Sequence, residues 1–290
     1  MSYSALSFMR VAFVAAAFAF SSLGHAADGK KAAGPELGLQ TWTCRNMDFD
    51  QVVAFALKHG ITKLQFISKH IDPKGPKEES LRKKAILDKN GLQAYTFGVN
   101  GTSTNKEENR KLFEFAKLMG IKVIIVEPKN MAEWDNLEEL VKEYDIKLAI
   151  HNHGIESVYG NPATIKGILA KRDRRIGVCM DVGWITAAGF DAAQTFREYG
   201  DRVYDMHFKD KVVEKGADGK PAVANGKIVA TDTEIGKGQS NYAGLFAAIK
   251  ETKWNGVLAI ETDSKAFAED PNRLVAEAKT FFAAQTGKKK

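Results

Sequence analysis

Two cysteines in 290 residues exclude a disulfide framework. Cys44 follows the first strand-like segment and Cys179 lies inside the sixth, so two free thiols are expected. Beyond residue 23 no apolar run is long enough to cross a bilayer. Basic residues exceed acidic ones by only six, three of them in the tail Lys288, Lys289 and Lys290. A basic stripe interleaved with aromatics is missing, which argues against a nucleic-acid partner. No GxGxxG follows the first strand-like segment, which lowers the dinucleotide-binding alternative, and no glycine-rich phosphate cradle or low-complexity tract stands out. What remains is a chain with 44% hydrophobic residues, enough for one large core.

The one long apolar stretch lies at the start. Residues 1–10 carry one basic side chain, Arg10, and residues 11–23 read VAFVAAAFAFSSL. Gly24, His25 and Ala26 then place small residues at the two positions that a signal peptidase inspects. The expectation is a signal peptide over residues 1–26 and a single domain over residues 27–290, in a periplasmic or secreted protein. Without a cysteine at the cleavage point, no lipid anchor and no membrane association after cleavage are expected.

From there strand-like and helix-like patterns alternate. Short β-branched or apolar runs occupy residues 37–43, 62–67, 93–98, 122–126, 147–151, 176–181, 203–207 and 257–261. Segments with apolar residues three and four apart occupy residues 48–58, 78–89, 106–118, 131–144, 162–169, 191–199, 242–252 and 272–284. Gly60, Gly91, Gly120 and Gly200 fall where left-handed helix caps belong. Eight such units imply parallel strands joined by right-handed crossovers and closed into a (β/α)8 TIM barrel, an α/β fold.

One connection is out of proportion. Residues 209–241 contain the turns ADGKP and ANGK and the motif IGKG, which implies a small hairpin and backbone lying close to something. In a barrel this loop emerges on the active face, so a lid is expected there.

Active sites of such barrels lie at the carboxyl ends of the strands. Polar residues end the later strands: Glu127 in VIIVEP, His151 and His153 in LAIHNHG, Asp181 in GVCMDVG, His207 and Lys209 in YDMHFKD, and Glu261 in LAIETD. Taken singly, each has an ordinary structural role, as a hydrogen-bonded histidine, a turn former or a helix cap. Together, His151, Asp181, His207 and Glu261 on four neighbouring strands form a candidate metal set, because carboxylates buried together need a cation. Mixed imidazole and carboxylate donors suit a divalent metal ion such as Mn, Co, Zn or Mg.

The segments HNHG, CMDVG, DMHFKD and AIETD, in this order, resemble the xylose-isomerase-like barrel family of sugar phosphate isomerases/epimerases, over about residues 36–284. That resemblance implies metal ligation by Asp181, His207 and Glu261. His151 stands where the family pattern has Glu, which leaves His153 as an alternative ligand. Trp184 stands where the family reads DVGH, and implies a ring stacked on a sugar face rather than a substrate-contacting histidine.

The implied reaction is removal of a proton next to a carbonyl, by a metal-dependent sugar isomerase or epimerase. His153 is the candidate base or acid, Glu127 a second one, and Lys209 a group that polarises an oxygen. His70, after the second strand, is expected to reach substrate. Export favours an unphosphorylated sugar or glycoside as the small-molecule partner. Two alternatives use the same barrel: a lyase or hydratase on 3-keto-glycosides, and a sugar-binding barrel without turnover. A phosphodiester-cleaving relative is disfavoured by export and by the scarcity of further histidines. Neither the sugar, the metal nor the oligomeric state can be read from the residues.

Overall fold

The computed structural model describes Met1 and residues 34–287. Apart from Met1, the expected signal peptide lies outside the described residues, as does the tail at 288–290. Seven strands follow in order: β1 (Glu36–Gln40), β2 (Lys63–Phe66), β3 (Gln93–Asn100), β4 (Val123–Val126), β5 (Lys147–His151), β6 (Ile176–Asp181) and β7 (Val203–Phe208). An insert carries β8 (Asp210–Val213), β9 (Val223–Ala224), β10 (Lys227–Ile228) and β11 (Ala230–Thr233). Then β12 (Val257–Ile260) pairs in parallel with β7 and β1 and closes an eight-stranded barrel. The expected (β/α)8 barrel is what forms.

Helices Phe49–His59, Lys77–Lys89, Lys106–Met119, Glu133–Tyr144, Pro162–Leu169, Ala192–Tyr199, Tyr242–Thr252 and Pro271–Thr286 match the eight segments with helical apolar spacing. Local chemistry sets their ends. Asp48 and Gln51 form a reciprocal capping box at the first helix, which stops at Gly60 with φ 62°. Asn105 caps the third, which stops at Gly120 with φ 76°. Gly91 is left-handed too, with φ 67°, one residue past the cap Asn90, whereas Gly200 pairs φ 58° with ψ −133° because a 3-10 turn, Gly200–Arg202, starts there.

Three elements depart from expectation. β1 stops at Gln40, whose side chain accepts from the Trp42 amide and turns Thr41–Cys44 into a 3-10 helix. Directly after β6, Asp181 caps a six-residue helix, Val182–Ala187, outside the eight segments with helical spacing. Another short helix, Lys265–Glu269, precedes the last one.

Side chains alternate along each strand. Leu148, Ile150, Val178, Met180, Met206, Phe208 and Ile260 join the large core shared with the helices. Ile125, Ala149 and Cys179 form a separate cluster on the opposite face, inside the barrel. Cys44 and Cys179 are both buried and free, as expected.

The insert forms a ribbon: β8 and β11 pair antiparallel, and β9 and β10 form the expected hairpin. Its turn uses Asn225 and Gly226, with φ 52° and 75°, the signature of a two-residue hairpin of the favoured twist. The IGKG backbone lies against a carboxylate. Asp210 accepts from the amides of Gly236 (3.0 Å), Gly238 (2.8 Å) and Ser240 (3.1 Å). A Cβ at position 238 would fall 2.3 Å from Asp210 Oδ1, so only glycine fits. Among the described residues no helix is long and apolar enough to cross a membrane.

Candidate metal centre

Parallel register places the donors. His151 on β5 pairs with Cys179 on β6, and Asp181 at the end of β6 pairs with His207 on β7. All three side chains share the barrel-interior face. Glu261 is the first residue past β12, held by its amide to Phe208 O at 3.2 Å.

Three donors converge, His151, Asp181 and His207, with ligand atoms all within 4.8 Å of one another, and Glu261 approaches them on the side of His207. His151 Nε2 and His207 Nδ1 face each other at 3.1 Å. Asp181 Oδ2 lies 3.3 Å from His207 Nδ1 and 3.6 Å from His151 Nε2, and Glu261 Oε2 lies 3.8 Å from His207 Nδ1. Two further side chains fix this aim. Gln65 Oε1 on β2 accepts from His207 Nε2 at 3.0 Å, which leaves the Nδ1 lone pair pointing at the common point. Asn152 grips the Asp181 backbone, accepting from its amide at 2.9 Å and donating to its carbonyl at 3.2 Å. Asp181 Oδ1 is meanwhile spent on the Trp184 amide at 2.9 Å, so Oδ2 is the oxygen offered inward.

Electrostatics agrees with a cation at that point. Burial drops the His151 imidazole to about 3 and lowers His207 too, against the pull of Asp181, so both rings are neutral and able to ligate. Burial alone would raise the Asp181 carboxyl, yet Lys209 and the two imidazoles hold it well below its ordinary value. Lys209 is the central positive charge. Its ammonium is 3.2 Å from Asp181 Oδ2 and 2.7 Å from Asp263 Oδ2, and it pairs with Glu261 outside hydrogen-bond angles. Burial opposes this charge, but Asp181, Glu261 and Asp263 push the Lys209 pKa well above its ordinary value.

Lys211 pairs with Asp232 and lies 3.7 Å from Asp263. Four carboxylates (Asp181, Asp232, Glu261, Asp263) therefore meet two ammoniums (Lys209, Lys211). Burial, with Asp263 and Asp181 nearby, pushes the Glu261 carboxyl well above its ordinary value despite Lys209, so without an ion it holds a proton that a divalent cation would displace. Two neutral imidazoles and two carboxylates also suit such an ion chemically. The residues fit the metal.

Local sequence makes room for this arrangement. A Cβ at position 183 would fall 2.6 Å from Lys209 Cγ, so the glycine of DVGW lets the lysine stem pass. Beside the donors, Glu127 accepts from His153 Nδ1 at 2.8 Å. Burial works against a charge on His153, but the hydrogen bond and charge of Glu127, with Asp181, outweigh it and raise its pKa. Its side chain is 42% exposed and faces a cavity of about 330 Å3. His151, His207, Lys209 and Glu261 line the same cavity.

Two expected substrate contacts are not brought there. His70 is buried, with Nδ1 bonded to Thr41 Oγ1 at 2.9 Å and Nε2 to Met47 O at 3.2 Å, so both ring nitrogens serve the fold. The Trp184 ring lies under the Lys211 ammonium, 3.9 Å from its centroid, and does not line the cavity. Gln65, Asn152 and Asp263 escaped sequence reasoning. Gln65 alone had a signal, a polar residue in the middle of an apolar strand.

Beneath the donors lies a second polar layer. Asp205 accepts from Tyr95 OH at 3.0 Å and lies 3.6 Å from Cys179 Sγ, and burial raises its carboxyl to about 8. Internal partners fill this layer.

Comparison with known proteins places the site in context. The inosose dehydratase of Clostridium perfringens is 24% identical over 256 residues, which cover 76% of this chain and 86% of that one. An inosose dehydratase of Lacticaseibacillus casei is 23% identical, covering 86% and 92%. Two solved structures share the fold. The IOLI protein with a binding zinc atom has a TM-score of 0.67 at 15% identity, covering 87% of this chain and 98% of that one. For the probable 3-DHS dehydratase AsbF of Bacillus anthracis the TM-score is 0.64 at 14% identity, covering 85% and 98%. The model of the family described as xylose isomerase-like TIM barrel matches residues 53–285, so the chain belongs to that family.

Proposed function

We propose that this protein is an exported, divalent-metal-dependent enzyme that removes a proton next to the carbonyl of an unphosphorylated sugar and expels a β-oxygen substituent. It is thus a lyase or dehydratase. The observation that carries the reading is the buried donor set of His151, Asp181 and His207, with Glu261 alongside, next to the His153–Glu127 pair. Relatives named as dehydratases support elimination.

When bound, a divalent ion supplies Lewis-acid polarisation of the substrate oxygens. The protein's own groups do the rest. Glu127 accepts a hydrogen bond from the Nδ1–H of His153 and orients the ring, leaving Nε2 to accept the α-proton. Lys209 stays protonated among its carboxylates, so its fixed charge favours the negative charge that develops on the carbonyl oxygen. As the carbon–oxygen bond breaks, its electrons leave with the oxygen, and His153 returns the proton to it. One acid–base pair suffices for this sequence. A two-base epimerisation needs a second group that can take and give a proton, and Lys209 is held as an ammonium by its carboxylates.

Export rests on the leader-like residues 1–26 and is tested by fractionating cells that express the full chain. The reaction is tested with protein loaded with Mn, Co, Zn or Mg and offered free ketoses or 3-keto-glucosides. Release of the substituent supports elimination. An altered free sugar with nothing released would select the isomerase, and sugar binding without turnover would leave a binding protein.

A further inference from the structure

Resting on that reading, the structure points further, to the size of the leaving group. A second cavity, of about 620 Å3, adjoins the one at the metal centre. The two share Ser68 and Val99 in their walls. The inner cavity, about 330 Å3, is near the lower end of the range usual for small-molecule sites, about 300–1,000 Å3. It has room for one small ring, and Ser68 and Val99 stand at the border between the two.

We propose that the two cavities form one extended site, and that the substrate is a neutral glycoside whose departing unit, itself sugar-sized, lies in the outer cavity. Three observations carry this. First, the outer cavity offers hydrogen-bonding groups that the fold leaves unused. The Asn100 side-chain nitrogen donates to Phe97 O and Ile125 O, at 3.2 and 3.1 Å, and its Oδ1 has no partner among the described residues. The Ser68 hydroxyl, at the junction, has none either.

Second, its charges cancel. Asp72 and Glu108 stand against Lys74 and Lys111 in the wall, so no net charge favours a phosphate or carboxylate. A polyhydroxylated neutral group matches a wall of alternating donors and acceptors.

Third, the approach is built for a ring. Trp42 is 42% exposed and lines the inner cavity. Arg45 lies 4.9 Å from its ring centroid and is itself held by the carbonyls of Trp42, Thr262, Asp263 and Ser264 at 2.9–3.0 Å. A rigid, exposed indole beside hydrogen-bonding groups is a platform for the apolar face of a sugar. Trp42 thus takes the stacking role that Trp184, beneath Lys211, is not placed to fill.

Gly101 provides the test. It lines the outer cavity, and a Cβ built there meets nothing within 4 Å, so Gly101→Phe adds a plug to the outer cavity, away from the metal donors. Calorimetry would compare methyl glucoside with maltose, cellobiose and trehalose on the full-length protein. At least one disaccharide should bind tenfold or more tighter than methyl glucoside. Gly101→Phe should erase that preference and leave methyl glucoside within twofold, whereas Trp42→Ala should weaken both. Equal affinities in the wild type, or a preference that survives Gly101→Phe, would overturn the extended site. Disaccharide binding without elimination from any 3-keto-glycoside would instead refute the lyase reading and leave the extended site standing.

Discussion

Gln65 Oε1 accepts a hydrogen bond from His207 Nε2–H at 3.0 Å, and this bond between residues 142 positions apart decides which histidine nitrogen faces the metal point. Replacing Gln65 by Leu removes the acceptor and frees the ring to turn or change tautomer. Partners of this kind are worth 10–100-fold in metal affinity. Gln65→Leu is therefore expected to weaken metal binding by about that factor, with little change in circular dichroism. A competition titration against a chromogenic chelator reads it.

Metal binding should appear in stability as well as in activity. An ion present at about 100 times its Kd adds about 2.7 kcal/mol, which for a chain of this size is on the order of 5–10 °C in Tm. Dialysis against a chelator should lower Tm by that amount, and Mn, Co or Zn should restore it. In Asp181→Asn the metal-dependent rise should vanish. A wild-type Tm indifferent to both treatments would remove the case for an ion.

Lys209 is 2% exposed and bonded to carboxylates only. Lys209→Met leaves Asp181, Glu261 and Asp263 without their nearest cation, and breaking a buried pair from one side costs about 3–5 kcal/mol. Urea denaturation should find a loss of that order in the metal-free protein. Added metal should recover part of it, since the ion replaces the positive charge that the substitution removes.

His153 and Glu127 make the opposite prediction. Both lie within 4.8 Å of His151, but the proposed mechanism uses them as an acid–base pair, so His153→Gln should leave metal affinity within a few-fold while lowering kcat by about 10²–10⁴. Glu127→Gln keeps the hydrogen bond but loses the charge, and its loss should be smaller. A parallel drop in metal content would instead make His153 a ligand.

The thiols should be silent. Burial pushes Cys44 up to about 12 and raises Cys179 well above its ordinary value. At pH 8 the Cys44 thiolate fraction is then on the order of 10⁻⁴. A chromogenic disulfide reagent should find no reactive thiol in the native protein and two after denaturation.

Much of this was legible because a strand repeats every two residues. That period carried Ala149 to His151, Cys179 to Asp181 and Asp205 to His207, and barrel closure did the rest. What stayed hidden depends on contacts across the barrel or on a turn. Gln65 meets His207 only once β2 and β7 face each other across the interior. Trp42 looked like a strand residue until Gln40 bent the chain through its amide. Trp184 looked free because nothing local announces that Lys211 will cover it.

Asp232 belongs to the inserted ribbon, yet its Oδ2 accepts from Thr262 Oγ1 at 2.7 Å and from the amides of Asp263 and Ser264 at 2.6 and 3.3 Å. Those residues directly follow Glu261. What looks in the sequence like an appendage is thus a brace for the final ligand, and a related chain with a shortened ribbon would have to find another strut there or give up that carboxylate's alignment.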